Sequence, residues 1–265
     1  MKVIALTAMA CLFFSLPACT NETVTSSSET SQPPAVKPAG SREPVLVELY
    51  TSEGCSNCPP ADAQLAFLET TQPVQSADVI TLGFHVDYFD QRGWKDENSS
   101  PSSTYRQNGY ASRMKLDSVY TPQMIVDGKV QFVGSDARRA SEVITEAAVP
   151  VKGRANLLVK EAGVEVYFED LPRHDAGTVF LAVAEDDIVT NVKAGGNSGK
   201  TLKHISVVRA FGEIGTLTPA QSVFKAAVND IKFDPKWKKE NLKYVAFVQE
   251  NISGRVIGVG RAQAK

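Results

Sequence analysis

"YTSEGCSNCPPAD", Tyr50 to Asp62, holds two of the chain's four cysteines three positions apart, followed by a proline pair. Upstream, Pro44 to Ser52 (PVLVELYTS) is a short apolar run bounded by Pro and Gly, the pattern of a buried strand. Downstream, Pro59 to Thr71 sets Ala61, Leu65 and Leu68 on one face, which predicts a helix with proline in its opening turn. The cysteines lie between the two. That position admits a redox pair, half of a metal site, or a disulfide that braces a loop.

Further along, Asp78 to Asp87 (DVITLGFHVD) reads as a second buried strand, and Tyr88 to Ser103 as an irregular polar excursion. "TYRQNGYASRM" predicts a helix. "YTPQMIVDGKVQFVG" predicts two strands around an Asp127-Gly128 turn. Ser135 to Val149 opens with Ser and Asp and has amphipathic spacing, so it predicts a closing helix.

This order, with C-x-x-C between the first strand and first helix and a Thr-Pro before the third strand, resembles the thioredoxin fold. "VELYTSEGCSNCPPAD", Trp94-x-Asp96 with the following "TYRQ-x-x-YA", and "YTPQMIVDG" are similar to a family of secreted bacterial thioredoxin-like proteins catalogued as a domain of unknown function. The resemblance runs from about Pro44 to the C-terminus. It implies a thioredoxin-like domain over residues 43–150 and thiol chemistry at Cys55 and Cys58. It also implies that the Thr121–Pro122 bond is cis and faces the cysteines, offering backbone to an extended substrate. Glu48, seven residues before Cys55, takes the place of the buried acid that serves the deeper cysteine in thioredoxins; the spacing here is one residue longer.

The residues themselves support redox work at this spacing. Cysteines three apart at a helix start are within disulfide reach. The unpaired N–H groups and dipole there stabilise a thiolate, expected to be that of Cys55, with Cys58 one turn deeper as the resolving thiol. Alternatives stay open. The pair is also consistent with a purely structural disulfide. Zinc or copper bound by Cys55, Cys58 and His85 is a further reading, although no second cysteine pair exists to complete a site. Glu48 equally fits a solvent-facing position, Pro122 a trans turn, and Trp94 and Tyr105 simple packing.

The address of the chain bears on this choice. Val3 to Phe14 is apolar but too short to span a bilayer, and reads with Lys2 as an export signal, residues 1–18. "LPAC", Leu16 to Cys19, resembles a bacterial lipobox, with Pro17 departing from the usual small residue. The expectation is lipidation at Cys19, a Ser/Thr/Pro-rich tether over residues 19–42, and an envelope lipoprotein at the outer membrane facing the periplasm. Ordinary signal cleavage competes, but Leu16 suits it poorly. Cys11 then leaves with the signal and Cys19 carries lipid, so Cys55 and Cys58 are the remaining thiols in an oxidising compartment.

From Lys152 the periodicity shifts to two, and the successive runs predict an antiparallel β-sandwich over residues 151–265. "AGGNSGKT", Ala194 to Thr201, mimics a phosphate loop, but a strand pattern follows it where a helix is required, so a mobile hairpin loop is expected and no nucleotide. Lys200, Lys203, His204 and Arg209 beside it form a candidate docking patch for an acidic partner, or plain solvated residues. With 28 basic against 30 acidic residues, no global field favours nucleic acid. The functional expectation is a membrane-tethered thiol–disulfide oxidoreductase acting on protein thiols or disulfides without a cofactor. A metal carrier and a non-catalytic interaction module are the alternatives.

Overall fold

β1 (Glu43–Thr51) is buried along its whole length, which is why its sequence shows no alternation. It pairs in parallel with β2 (Ala77–His85) and antiparallel with β3 (Gln123–Val126), which turns back into β4 (Val130–Val133). Three helices connect these strands: α1 (Pro59–Thr71), α2 (Pro101–Met114) and α3 (Ala137–Ala147). Each has an N-terminal signal in its sequence. Pro59 and Pro60 open α1, Ser100 caps α2 by accepting from the Ser103 N–H, and Asp136 caps α3 by accepting from the Arg139 N–H. The computed structural model describes residues 40–264 except 162 and 230. The expected export signal, Cys19 and the tether as far as residue 39 lie outside the described residues. Within those residues no helix is long and apolar enough to cross a membrane.

The second half contributes β5 (Gly153–Lys160), β6 (Gly163–Glu169), β7 (Gly177–Glu185), β8 (Ile188–Asn191), β9 (Thr201–His204), β10 (Val207–Leu217), β11 (Phe224–Asn229), β12 (Leu242–Glu250) and β13 (Val256–Gln263). These strands do not make a separate sandwich. They continue the first half's sheet, giving one mixed 11-stranded sheet in the order β11-β6-β5-β13-β12-β7-β10-β2-β1-β3-β4. The expectation of a thioredoxin-like α/β domain followed by an all-β sandwich is therefore corrected. The join is β10 beside β2, where Val207 pairs in parallel with Gly83 and the Gly83 N–H donates to the Ser206 carbonyl at 2.8 Å. Alternation in a sequence reports which face of a strand is buried. It carries no information on which edge finds a partner, so β2's open edge was invisible.

Side chains of β1 alternate between two cores. Val45, Val47 and Leu49 pack with Ala61, Leu65 and Leu68 of α1, and with α3. Leu46 and Tyr50 pack on the other side with Phe84, Tyr110 of α2, and Ala182, Val245 and Phe247 from the second half. β8 and β9 form a small two-stranded sheet of their own, inserted between β7 and β10.

Candidate functional site

The loop from β1 into α1 is wound tightly. The Cys55 N–H donates to the Ser52 carbonyl and the Cys58 N–H to the Cys55 carbonyl, both at 3.1 Å. Cys58 is the N-cap residue of α1, and its carbonyl accepts from Ala61 and Asp62. The helix starts at Pro59 as its spacing predicts, so Cys58, rather than the expected Cys55, stands at its end. Cys55 and Cys58 are joined in a disulfide with Cα atoms 5.4 Å apart. Cys55 is 3% exposed and Cys58 is fully buried, while Ser56 and Asn57 between them face solvent. The bond lies just below the surface.

A buried polar cluster lies beneath the start of α1. Asp62, on the first turn, accepts from the Thr51 hydroxyl at 2.8 Å. His85, at the end of β2, has Nδ1 2.7 Å from Asp96 Oδ2. The Asp96 carboxylate also accepts the Glu53 N–H (2.9 Å) and the Asn98 N–H (2.8 Å). Glu53 in turn accepts from Trp94 Nε1 (2.8 Å) and Asn98 Nδ2 (3.0 Å). Trp94 and Asp96, the conspicuous residues of the polar excursion, are therefore the pins that fix it to the cysteine loop. His204 of β9 completes the group, its ring 4.8 Å from that of His85 in an edge-to-face contact.

These carboxyl groups are driven apart. Burial raises Asp96, but the His85 charge and hydrogen bond and two backbone N–H groups outweigh it and hold Asp96 at about 2. His85 is the reciprocal case: burial lowers it, and Asp96 more than offsets this, leaving it above the ordinary imidazole value. Asp62 is raised above its ordinary value because burial exceeds the help it gets from His204, His85 and Thr51.

The Ala194–Thr201 stretch caps the site. It is indeed the loop of the β8–β9 hairpin, and it packs onto the cysteine loop. The Asn197 side chain, fully buried, donates to the Glu53 and Cys55 carbonyls, both at 2.9 Å. Gly195 has φ +71°, and a Cβ there would come 3.0 Å from Trp94 Cβ; one on Gly196 would come 3.2 Å from the Gly54 carbonyl oxygen. The glycines that mimic a phosphate loop serve this close approach. Of the expected docking patch, Lys200 and Lys203 face solvent while the other two members are held in the fold. Lys200 donates to Asn197 Oδ1 at 3.0 Å, Arg209 is tied to Glu185 and Asn98, and His204 is buried.

Thr121–Pro122 is cis, as the resemblance implied. Pro122 is buried, its carbonyl accepts the Gly134 N–H at 3.0 Å, and a Cβ on Gly134 would come within 3.1 Å of Ala61 Cβ and 3.5 Å of Pro122 Cβ. The proline turn thus lies near the opening turn of α1, with Gly134 between them. Gln107 of α2 holds the turn, donating to the Tyr120 carbonyl at 2.8 Å.

Glu48 is not brought to the cysteines. It shares the face of β1 that carries Leu46 and Tyr50, opposite the face packed by α1. Its carboxylate is taken by Arg106 Nε at 2.6 Å and by the Tyr110 hydroxyl. The Arg106 guanidinium is packed among the rings of Phe84, Tyr110, Phe180, Phe211 and Phe247. The "TYRQ-x-x-YA" motif is thereby accounted for, except Tyr105, which points to solvent. As for the metal reading, the cysteines are bonded to each other and His85 Nδ1 is occupied by Asp96. Among the described residues no group of three or more His, Cys, Asp or Glu is placed to hold an ion.

A family described as proteins of unknown function (DUF1223) matches residues 46–249. The chain belongs to this DUF1223 family. No curated protein matches it. Among solved structures, protein AGR_C_4864 of Agrobacterium tumefaciens shares the fold with a TM-score of 0.69 at 22% identity, over 86% of this chain and 97% of that one. HBP35 of Porphyromonas gingivalis is similar with a TM-score of 0.59 at 12% identity, over 84% of this chain and 75% of that one. At these identities the likeness concerns fold alone.

Proposed function

We propose that this DUF1223 protein is an exported thiol–disulfide oxidoreductase, tethered to the membrane through lipid on Cys19 and acting on cysteines of other proteins. The observation that carries the reading is the Cys55–Cys58 disulfide at the start of α1. Cys55 lies at the rim beside exposed Ser56 and Asn57, and Cys58 is one step deeper, so the two sulfurs differ in access. Exchange requires such a difference: an outer sulfur meets the partner and an inner one releases it. The cis Thr121–Pro122 turn lies near the same helix start, and on this reading the Thr121 backbone meets that of the partner.

The test is capture in cells. Cys58→Ser removes the releasing sulfur, so mixed disulfides between Cys55 and envelope proteins should accumulate and disappear on reduction. Cys55→Ser should yield few. A disulfide that only braces the loop gives no such asymmetry, and equal capture by both variants, or none by either, rejects the reading.

A further inference from the structure

Three buried polar atoms beneath the disulfide have no hydrogen bond among the described residues: Asp62 Oδ2 and both ring nitrogens of His204. Folded proteins rarely leave such atoms unpaired, because each has lost its water without replacement. They lie together. His204 Nδ1 is 3.8 Å from Asp62 Oδ2, and His204 Nε2 is 3.6 Å from Glu53 Oε1. Both distances exceed those of a formed hydrogen bond, and a side-chain movement of about 1 Å closes either one. Asp62 follows Cys58 by four residues, and its N–H donates to the Cys58 carbonyl at 3.1 Å, so the two side chains share the buried face of the first turn.

We propose that Asp62 and His204 form a buried proton relay serving the Cys58 sulfur, with a protein disulfide as the substrate. This rests on the redox reading above. When a reduced Cys55 has attacked a partner and is held to it by a mixed disulfide, the Cys58 thiol gives its proton to Asp62 Oδ2. The Cys58 sulfur then bonds to Cys55 Sγ, and the bond from Cys55 to the partner breaks with its electron pair on the partner sulfur. The partner disulfide has gained two electrons and the cysteine pair has lost two. The proton stays on Asp62, shared with His204 Nδ1, until the site opens to water. The surrounding groups leave this role to Asp62. From β2 and the excursion, His85 and Asp96 are bound to each other, and Glu53 is occupied by Trp94 and Asn98. Thr51 of β1 supplies one hydroxyl to Asp62 Oδ1, which leaves Oδ2 to accept. Burial also raises Asp62 above its ordinary value, which makes it a better proton acceptor than an exposed carboxylate.

The experiment uses the full chain, reduced, mixed with an aromatic disulfide whose thiolate absorbs light. Attack by Cys55 releases one equivalent, and closure by Cys58 releases a second. In the Asp62→Asn protein the ratio of second to first release rate at neutral pH should fall about ten- to hundredfold. The second release should then gain speed with pH as the thiol ionises unaided. His204→Gln, at the far side of the relay, should lower the same ratio and shift its pH profile. It decides the matter if Asp62→Asn fails to fold. An unchanged ratio and profile in a folded variant of either kind overturns the relay while the redox reading stands. A wild-type protein that releases no second equivalent overturns both.

Discussion

His85 and Asp96 show what one buried pair contributes. Asp96 ionises at about 2, below its ordinary value of 3.8, so it stabilises the fold above about pH 4, and that contribution is lost as the pH falls toward 2. His85 is raised, so its contribution is complete below about pH 6.5 and is lost as the pH climbs through its folded value. Stability from the pair should peak between those limits. The acid limb is worth roughly 2 kcal/mol, at about 1.4 kcal/mol per pH unit. Denaturant unfolding from pH 2 to 5 should show it in the wild type and not in Asp96→Asn; parallel curves would contradict the assignment. Cys55 and Cys58 were legible in the sequence because their spacing and the prolines that follow mark them, whereas the cis Pro122 was implied by the family resemblance alone. Glu48 was misplaced by the same reasoning. A conspicuous acid in a buried strand signals a partner, and which face it takes depends on Arg106, 58 residues away. Asp62 and His204 carried no local signal, since their pairing is made only by the docking of β9 on α1.

At the scale of elements, α1 spans the residues its apolar spacing predicted, Pro59 to Thr71. The β8–β9 hairpin was also legible, but its place over the disulfide was not, because nothing in "AGGNSGKT" announces which carbonyls Asn197 will bind. The hairpin carries a prediction. With Cys55 3% exposed, a partner sulfur reaches it only if the Asn197 loop moves. Asn197→Ala removes two hydrogen bonds, worth about 1 kcal/mol each, and leaves two carbonyls unpaired. Reduction of the disulfide by a small dithiol should become about tenfold faster or more. An unaltered rate would show that the loop does not gate access.

The molecule as a whole is joined across the boundary that periodicity suggests near Pro150. Lys243 of β12, buried, bonds Glu69 of α1 at 2.8 Å and the Ser206 hydroxyl at 2.7 Å. Arg106 of α2 is packed against Phe180, Phe211 and Phe247 from the second half. Unpairing a buried charge of this kind costs about 3–5 kcal/mol, so neither half can leave the other cheaply. Calorimetry should show one cooperative transition for the folded body, and trypsin should spare the buried Lys152 in the native state. Two separated transitions, or rapid cleavage at Lys152, would argue against this. The change of periodicity at Lys152 reflects the alternating burial of outer strands such as β5 and β11; β12, in the middle of the same sheet, is buried at every position. It does not mark a change of sheet.

The chain has two tryptophans, and their placement has a practical consequence. Trp94 is wedged between Glu53 and Gly195, so it touches both the cysteine loop and its cap. Trp237, half-buried, packs against Phe233 at the edge of the second half's core. The indole at the disulfide is thus a built-in optical probe, and replacing Trp237 by Phe isolates its emission. The opening of the cap can then be followed in real time, in solution, without attaching a dye.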